Sequence, residues 1–312
     1  MRFATLILFY DCDQFILRAI ENCAPHVEKI YVTYSPLPWG YNSKAREKFR
    51  NPSDPSIVQQ SKFLDKVELI EGDWFTEEEQ RNEVLDKAKA EGFDYLIIQD
   101  ADEFFHAEDY SGNLRQIEAN PDYSFYRTPW YQFWKTTEWI LRCKISYCYK
   151  QDVPIVKLKN TLISFSMAFA INLKTNTSFE RCRRPNNIDD YLILDGPAYH
   201  LSYVLSDGQV ERKIQTYGHS QQIRHKRWLR NKWYGWQPQT KRLHPLAPHQ
   251  WLHAEPYKGN LPKEIKDLPL PEQQHKTLSR YEKMFALAGD LEDYVIRCLK
   301  QFKKKILKLL FG

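Results

Sequence analysis

The chain has 312 residues, of which 42% are hydrophobic and 27% are charged. A hydrophobic fraction of this size excludes a disordered chain, the 11 glycines form no collagen repeat, and the length allows one large domain or two. No stretch reaches the ~18 consecutive apolar residues of a transmembrane helix.

The first part of the chain predicts repeated β-α-β units. Runs rich in β-branched and aromatic residues, which favour strands, alternate with longer polar-patterned stretches, which favour helices. One helix has a clear start, because Thr76 and Glu79 form a capping-box pattern, and Gly92 ends it. The predicted strands are residues 3–10, 28–34, 66–71 and 94–99, and the predicted helices are 13–24, 56–64 and 76–91.

The rest of the chain predicts additions to this sheet. Residues 122–173 contain shorter extended runs, which indicate antiparallel strands beside the parallel ones. After Asp207 the pattern is helical, then proline-rich over 245–271, then helical to the end. The expected fold class is α/β, with a Rossmann-like, mainly parallel central sheet and a helical C-terminal extension.

An acidic motif follows the fourth predicted strand. Asp100 and Asp102 come directly after an apolar run, and residues i and i+2 of an extended chain point to the same side. In open α/β sheets, ligands bind outside the carboxyl ends of the strands. Two carboxylates there suit Mn²⁺ or Mg²⁺, which could bridge the phosphates of a nucleotide. Placement after an apolar strand favours this metal site over the alternative of solvated turn acids.

Residues 72–103 resemble the donor half of GT-A glycosyltransferases, particularly family 2. The resemblance rests on Gly-Asp-Trp at 72–74, on the Arg-Asn pair at 81–82 and on Asp-Ala-Asp-Glu at 100–103, and it covers roughly residues 3–106. It implies that Asp102 binds the metal directly, with Asp100 at the ribose or a metal-bound water.

The same resemblance implies which residues bind the nucleotide. Arg81 would approach the diphosphate, and Asp73 joins the expected cofactor-binding residues; the alternative for Arg81 is an exposed ion pair with Glu77, one helical turn away. Family 2 enzymes commonly carry an acidic motif after the second strand, which this chain lacks. Tyr34 could stack on the base there, or it simply ends the strand.

A histidine block at residues 199–220 resembles the C-terminal part of the same group, and more loosely family 17. The resemblance implies that His200 is a further metal ligand, with a neutral imidazole as donor. It also places Lys213 and His219 at the diphosphate, which requires a bend at Gly218 because spacing alone does not put both on one helix face. A structural histidine at a strand end is the alternative.

Candidate residues for the acceptor site lie downstream of the acidic motif. Inverting transfer needs a base near the acceptor hydroxyl, and the resemblance points to Asp190, with Asp189 and Asp195 as the other candidates; solvated turn acids are the alternative. Eight aromatic residues lie between positions 123 and 139. Trp130, Trp134 and Glu138 are the candidate sugar contacts, whereas packing in a strand core would equally explain such aromatics.

Charge is concentrated near the end of the chain. The formal net charge is +5, yet residues 296–312 alone carry six Lys or Arg and no acid, in an amphipathic helical pattern. Such a helix could lie on an anionic membrane surface or pack back onto the domain. The six cysteines show no paired spacing, so we expect reduced thiols and a cytoplasmic protein, peripheral on the inner face of a membrane if the tail binds lipid.

The sequence therefore predicts a metal-dependent GT-A glycosyltransferase that moves a sugar from a nucleotide diphosphate, UDP favoured, to a glycan acceptor, with inversion. Residues 1–110 would bind the nucleotide sugar, 111–205 the acceptor, and 206–312 would form the helical extension. The rival is a metal-dependent nuclease or phosphohydrolase holding a phosphodiester on the basic zone 212–254, which has nine Lys or Arg and no acid. A nucleic-acid partner is not expected.

Overall fold

The computed structural model describes residues 1–143, 163–218, 220–246, 248, 250–282, 284 and 288. In these ranges the strands are β1 Phe3–Phe9, β2 Lys29–Tyr34, β3 Val67–Glu71, β4 Tyr95–Ile98, β5 Glu103–Phe104, β6 Phe125–Trp134, β7 Thr136–Cys143, β8 Ile163–Asn172, β9 Phe179–Arg181, β10 Arg184–Pro185, β11 Tyr191–Ile193, β12 Ala198–His200 and β13 Trp251–Pro256. The α-helices are α1 Asp13–Cys23, α2 Ser43–Lys48, α3 Glu77–Ala90, α4 Ala107–Ala119, α5 Asp207–Thr216 and α6 His225–Trp228.

A large sheet organises these elements, in the order β13-β7-β6-β8-β4-β1-β2-β3. The β4-β1-β2-β3 half is parallel, whereas β8, β6, β7 and β13 join by antiparallel pairing. The predicted α/β class with a Rossmann-like parallel sheet is confirmed, and its four predicted strands lie within one residue of the observed ones. The central strands β1 and β4 are mostly apolar and nearly all buried, because both faces of the sheet are covered.

Local sequence explains where α3 begins and ends. Thr76 and Glu79 form the predicted capping box, and Gly92 adopts φ 77°, a left-handed conformation that glycine accepts without a steric penalty. One predicted helix is wrong in type: within 56–64, only the short 3₁₀ turn Pro55–Gln60 forms, followed by another at Leu64–Lys66. The strand β13 inside the proline-rich stretch was not predicted.

The chain divides into two compact units. The first contains residues 1–223 and 241–273, and therefore the whole sheet; the second contains residues 224–240 and 274–312. In the second unit, α6 continues into a π-helical turn at Leu229–Tyr234, and the backbone N–H of Lys276 donates to the carbonyl of Tyr234 at 2.9 Å. Among the described helices, none is long and apolar enough to cross a membrane.

Candidate functional site

The candidate site lies in the first unit, at the carboxyl ends of the parallel strands. From β1 the chain runs to β2 and then β3 on one side, while β4 lies on the other side of β1. The loops after β1 and β4 therefore diverge at this point, which is where open α/β sheets leave a crevice for ligands. A cavity of about 580 Å³ opens here.

The cavity brings together residues from distant parts of the sequence. Its walls come from the loops after β1, β2 and β4, from the first turns of α3, from the ends of β6 and β12, and from α5. The ionisable side chains of acids and bases that line it are Asp11, Glu77, Arg81, Asp100, Asp102, Arg183, His200 and Lys213. Its apolar lining includes Phe9, Phe15, Leu37, Trp39, Trp130, Met167 and Leu205.

Strand pairing places His200 beside Asp102. β5 pairs antiparallel with β12, so that Glu103 is opposite His200, and the N–H of Leu201 donates to the carbonyl of Asp102 at 2.8 Å. As a result, Nε2 of His200 lies 3.4 Å from Oδ1 of Asp102. The predicted grouping of these two residues is therefore present in the structure.

The orientation of the His200 ring is determined by Gln132 on β6. The Gln132 amide nitrogen faces the carbonyl of His200 at 3.4 Å, which leaves its oxygen to accept from Nδ1 of His200 at 2.7 Å. In a neutral imidazole, Nε2 then presents its lone pair to Asp102. Two acceptors at 3.4 Å attract each other only if a proton or a cation lies between them.

Asp102 is also close to Lys213, the lysine of the histidine block at residues 199–220. α5 begins with a capping box formed by Ser206 and Gln209, and it places Nζ of Lys213 3.6 Å from Oδ2 of Asp102. Burial acts to raise the pKa of Asp102, but His200 and Lys213 outweigh it and hold this pKa well below its ordinary value. Asp102 is therefore a carboxylate in a cationic surrounding.

Asp100 is held by two guanidinium groups. Nη2 of Arg81 donates to Oδ1 at 2.9 Å, and Nη1 of Arg183 donates to Oδ2 at 3.2 Å. Burial acts to raise the pKa of Asp100, and the two arginines lower it below its usual range. Each Asp100 oxygen accepts one hydrogen bond from an arginine, which leaves a further lone pair on each oxygen.

Arg81 forms the ion pair with Glu77 that the sequence allowed as an alternative, but the pair is buried and not exposed. It donates to Glu77 through Nε at 3.0 Å and Nη2 at 2.8 Å, but this pair is buried, with only 1% of the Arg81 side chain exposed. Its Nη1 is buried without a hydrogen-bond partner among the described residues. Arg81 lines the cavity, and a guanidinium N–H that lacks an acceptor is suited to an anionic ligand.

Glu103 lies behind the cavity, fully buried. Its Oε1 accepts from Nη1 of Arg183, and its Oε2 is 3.4 Å from the backbone nitrogen of Asp100. Burial raises the pKa of Glu103 to about 7, even though Arg183 acts to lower it.

The residues fit a metal ion whose ligands come partly from the protein and partly from the phosphate oxygens of the substrate. Within the described ranges, no group of three or more His, Cys, Asp or Glu side chains forms a ready-made site. Mg²⁺ sites at nucleotides, however, commonly use one or two carboxylates plus phosphate oxygens. The atoms of Asp102 and His200 are 3.4 Å apart, and two ligands that each lie ~2.1 Å from one ion are about 3.0–3.4 Å apart.

Two of the predicted nucleotide-binding residues lie outside the cavity lining. The hydroxyl of Tyr34 donates to the carbonyl of Ser53 at 3.2 Å, and its ring packs 6.0 Å from that of Phe9. Asp73 forms an ion pair with Arg46, and half of its side chain is exposed. In the structure, Tyr34 thus packs against Phe9 at the end of β2 and does not line the cavity.

The three candidate bases are not brought to the cavity. Asp190 accepts hydrogen bonds from the backbone and the hydroxyl of Ser124, just before β6. β6 pairs there with the part of β8 that faces the beginning of β4, so Asp190 lies at the amino edge of the sheet. Asp189, next to it, and Asp195, after β11, are exposed and do not line the cavity either.

Of the three candidate sugar contacts, the structure places only Trp130 in the cavity lining. Trp130 lines the cavity, but its ring lies 4.0 Å from the His200 ring and 5.4 Å from the guanidinium carbon of Arg183. Trp134 is fully buried and stacks on Tyr203, as the core interpretation expects. Glu138 is exposed on β7, away from the lining. His219 and residues 296–312 lie outside the described residues.

Several residues of the site were not found from the sequence. Asp11 follows β1 as Asp100 follows β4, with φ 53°, and it accepts from Arg212 at 2.7 and 2.9 Å. Its place after a predicted strand was a signal that could have identified it. Arg183 and Gln132 carry no local signal, because only the packing of β9–β10 brings Arg183 to the acidic loop and only strand pairing brings Gln132 to His200.

Comparisons with known proteins assign no family. No protein-family model matches the chain, and no curated protein matches it. Among solved structures, S. aureus TarS 1-349 in complex with UDP-GlcNAc is similar over 75% of this chain and 72% of that chain, at 10% identity and a TM-score of 0.38. The same fragment with UDP gives 8% identity over 75% and 71%, with a TM-score of 0.38. Full TarS gives 10% identity over 75% and 48%, with a TM-score of 0.36.

Proposed function

We propose that this chain is a metal-dependent glycosyltransferase that moves a sugar from a nucleotide diphosphate, with a UDP-sugar favoured, to a saccharide acceptor. One observation carries the proposal: Oδ1 of Asp102 and Nε2 of His200 lie 3.4 Å apart in the lining of a cavity, and Arg81, whose Nη1 is buried without a hydrogen-bond partner among the described residues, lines the same cavity. A cation and an anion together satisfy this arrangement.

The chain's own residues would divide the work as follows. Asp102 and His200 would hold Mn²⁺ or Mg²⁺, which when bound offsets the charge that develops on a departing diphosphate. Arg81, through Nη1, and Lys213 would bind phosphate oxygens directly. Asp100 accepts a hydrogen bond from each of two arginines, so it would also hold the acidic loop and the Arg81 fork in place.

The proposed transfer also needs a base for the acceptor. Transfer with inversion, which the family 2 resemblance implies, needs a base near the acceptor hydroxyl. None of Asp189, Asp190 and Asp195 lines the cavity, so these residues stay candidates on resemblance alone. The anomeric configuration of the product, read by NMR from a trapped acceptor reaction, decides the stereochemistry.

Calorimetry separates the transferase from its rival. We expect UDP or GDP to bind with Mn²⁺ and weakly without it, and Asp102→Ala to abolish the metal-dependent part. Tight binding of an oligonucleotide with no metal-dependent nucleotide diphosphate binding would instead favour the nuclease or phosphohydrolase. A panel of nucleotide sugars, assayed for slow metal-dependent hydrolysis, then identifies the donor.

A further inference from the structure

Arg183 occupies the gap that opens where β4 ends. The register of β4 with β8 pairs Ile97 with Ala170, so continued pairing would place Gln99 opposite Ala168. β4 stops at Ile98 instead. Arg183 donates through Nε to the carbonyl of Ala168 and through Nη2 to the carbonyl of Ile98, both at 2.7 Å. Its guanidinium thus replaces the missing strand residues in hydrogen bonding.

The same side chain ties down the acidic loop. Nη1 of Arg183 donates to Oδ2 of Asp100 at 3.2 Å and also to Oε1 of Glu103. These contacts bracket Asp102, the residue between them that faces His200. The loop is closed further by the N–H of Glu103, which donates to the carbonyl of Asp100 at 2.9 Å.

The position of Arg183 is imposed by its hairpin. It lies between β9 and β10, directly after Cys182, which adopts φ 50°. Arg183 is 4% exposed, whereas the next residue, Arg184, is exposed to solvent. A buried arginine whose three nitrogens all donate to acceptors uses the planar fork of the guanidinium, which a lysine cannot reproduce.

We propose that Arg183 is a positioning residue, which holds the loop 100–103 in the conformation that presents Asp102 to the cavity. The role rests on the proposed function, because Asp102 is the group that it serves. Arg183 does not contact Asp102 through a hydrogen bond among those described; it donates hydrogen bonds to Asp100, to Glu103 and to the end of β4. Residues that orient metal ligands in this way typically change metal affinity or activity by ~10–100-fold when they are replaced.

The test compares Arg183→Lys and Arg183→Gln with Arg184→Gln, an exposed control one residue away. Hydrogen exchange of the peptide that contains residues 98–103 is measured without metal or nucleotide, and Mn²⁺-dependent UDP binding is measured by calorimetry. We expect faster loop exchange and a ~10–100-fold weaker metal-dependent affinity in both Arg183 variants, with Mn²⁺-independent UDP binding unchanged. Arg184→Gln should match the wild type in all three measurements.

Three results would overturn the role. The first is that Arg183→Lys shows the same loop hydrogen exchange and the same metal-dependent affinity as the wild type. The second is that the Arg183 variants lose metal-dependent and metal-independent UDP binding equally, which would indicate a general loss of packing. The third can be measured on the wild type alone, even if the variants fail to fold. The amides of Asp100 and Glu103 should exchange hydrogen as slowly as those of β4, and rapid exchange at these two amides would contradict the role. Absence of Mn²⁺–UDP binding in the wild type would refute the proposed function, while the exchange comparison would still decide the role of Arg183.

Discussion

Asp102 and His200 face each other because two short strands pair. β12 places Nε2 of His200 3.4 Å from Oδ1 of Asp102, and Gln132 holds the opposite ring nitrogen at 2.7 Å. The ring therefore has one orientation, with Nε2 directed at the carboxylate. This is the arrangement that a metal-ligating histidine needs, since its second nitrogen is engaged by a neighbour.

Replacing either residue should remove metal-dependent binding. We expect Asp102→Asn and His200→Ala to weaken Mn²⁺-dependent UDP binding by roughly 100-fold or more, and Gln132→Leu by ~10–100-fold, since it acts through the ring orientation. Calorimetry with and without Mn²⁺ measures this. Asp73→Asn is the matched control, an exposed carboxylate outside the cavity lining; an equal loss there would show that the effect is not specific to the pair.

Asp190 should matter for stability rather than for chemistry. Its carboxylate accepts from the backbone and the hydroxyl of Ser124. We expect Asp190→Asn to lower the free energy of unfolding by about 1–2 kcal/mol and to leave kcat for donor hydrolysis within about twofold of the wild type. A large fall in kcat at unchanged stability would instead assign Asp190 the role of the base that the resemblance implies.

Asn51 should be among the most sensitive polar residues of the first unit. Its amide nitrogen donates to the carbonyls of Phe9 and Ser35, and its oxygen accepts from the N–H groups of Asp11 and Ser53. Asn51→Ala would leave these buried groups unpaired, so we expect a loss of about 2–4 kcal/mol in denaturant unfolding. The exposed Asn120→Ala should cost less than about 1 kcal/mol; equal losses would contradict this explanation.

Acid should remove the contribution of Asp94. Hydrogen bonds from Lys174 and from the N–H of Arg2, both at 2.7 Å, lower the pKa of Asp94. A carboxyl whose pKa is lower in the folded state stabilises the protein above its unfolded pKa, and this stabilisation is lost as the pH falls through the folded value. Asp94→Asn should therefore cost about 1 kcal/mol at neutral pH, and the difference from the wild type should shrink on acidification.

Urea unfolding at pH values from about 7 down to about 3 measures this dependence. Asp65→Asn, another exposed carboxylate, is the comparison variant. A difference between wild type and Asp94→Asn that stays constant or grows as the pH falls would contradict the ion pair as its source.

The basic tail gives a separate prediction. If residues 296–312 lie on an anionic membrane, deletion of this segment should abolish sedimentation with vesicles that contain phosphatidylserine. Replacement of Lys304, Lys305 and Lys308 by Gln should weaken it strongly, since each cation near the surface contributes ~1 kcal/mol. Neutral phosphatidylcholine vesicles are the control, and unchanged sedimentation of the deletion variant would refute the membrane interpretation.

The sequence by itself determined the local features of this protein. Four parallel strands, the capped helix after Thr76 and the acidic loop at Asp100 and Asp102 follow from periodicity and from neighbours a few residues apart, which is information that a single sequence contains. The tertiary structure decided what surrounds that loop. Arg183 reaches it, Gln132 reaches its neighbour His200, and Asp190 reaches neither, because strand order and register determine which distant residues share an edge of the sheet, and no local pattern encodes that choice.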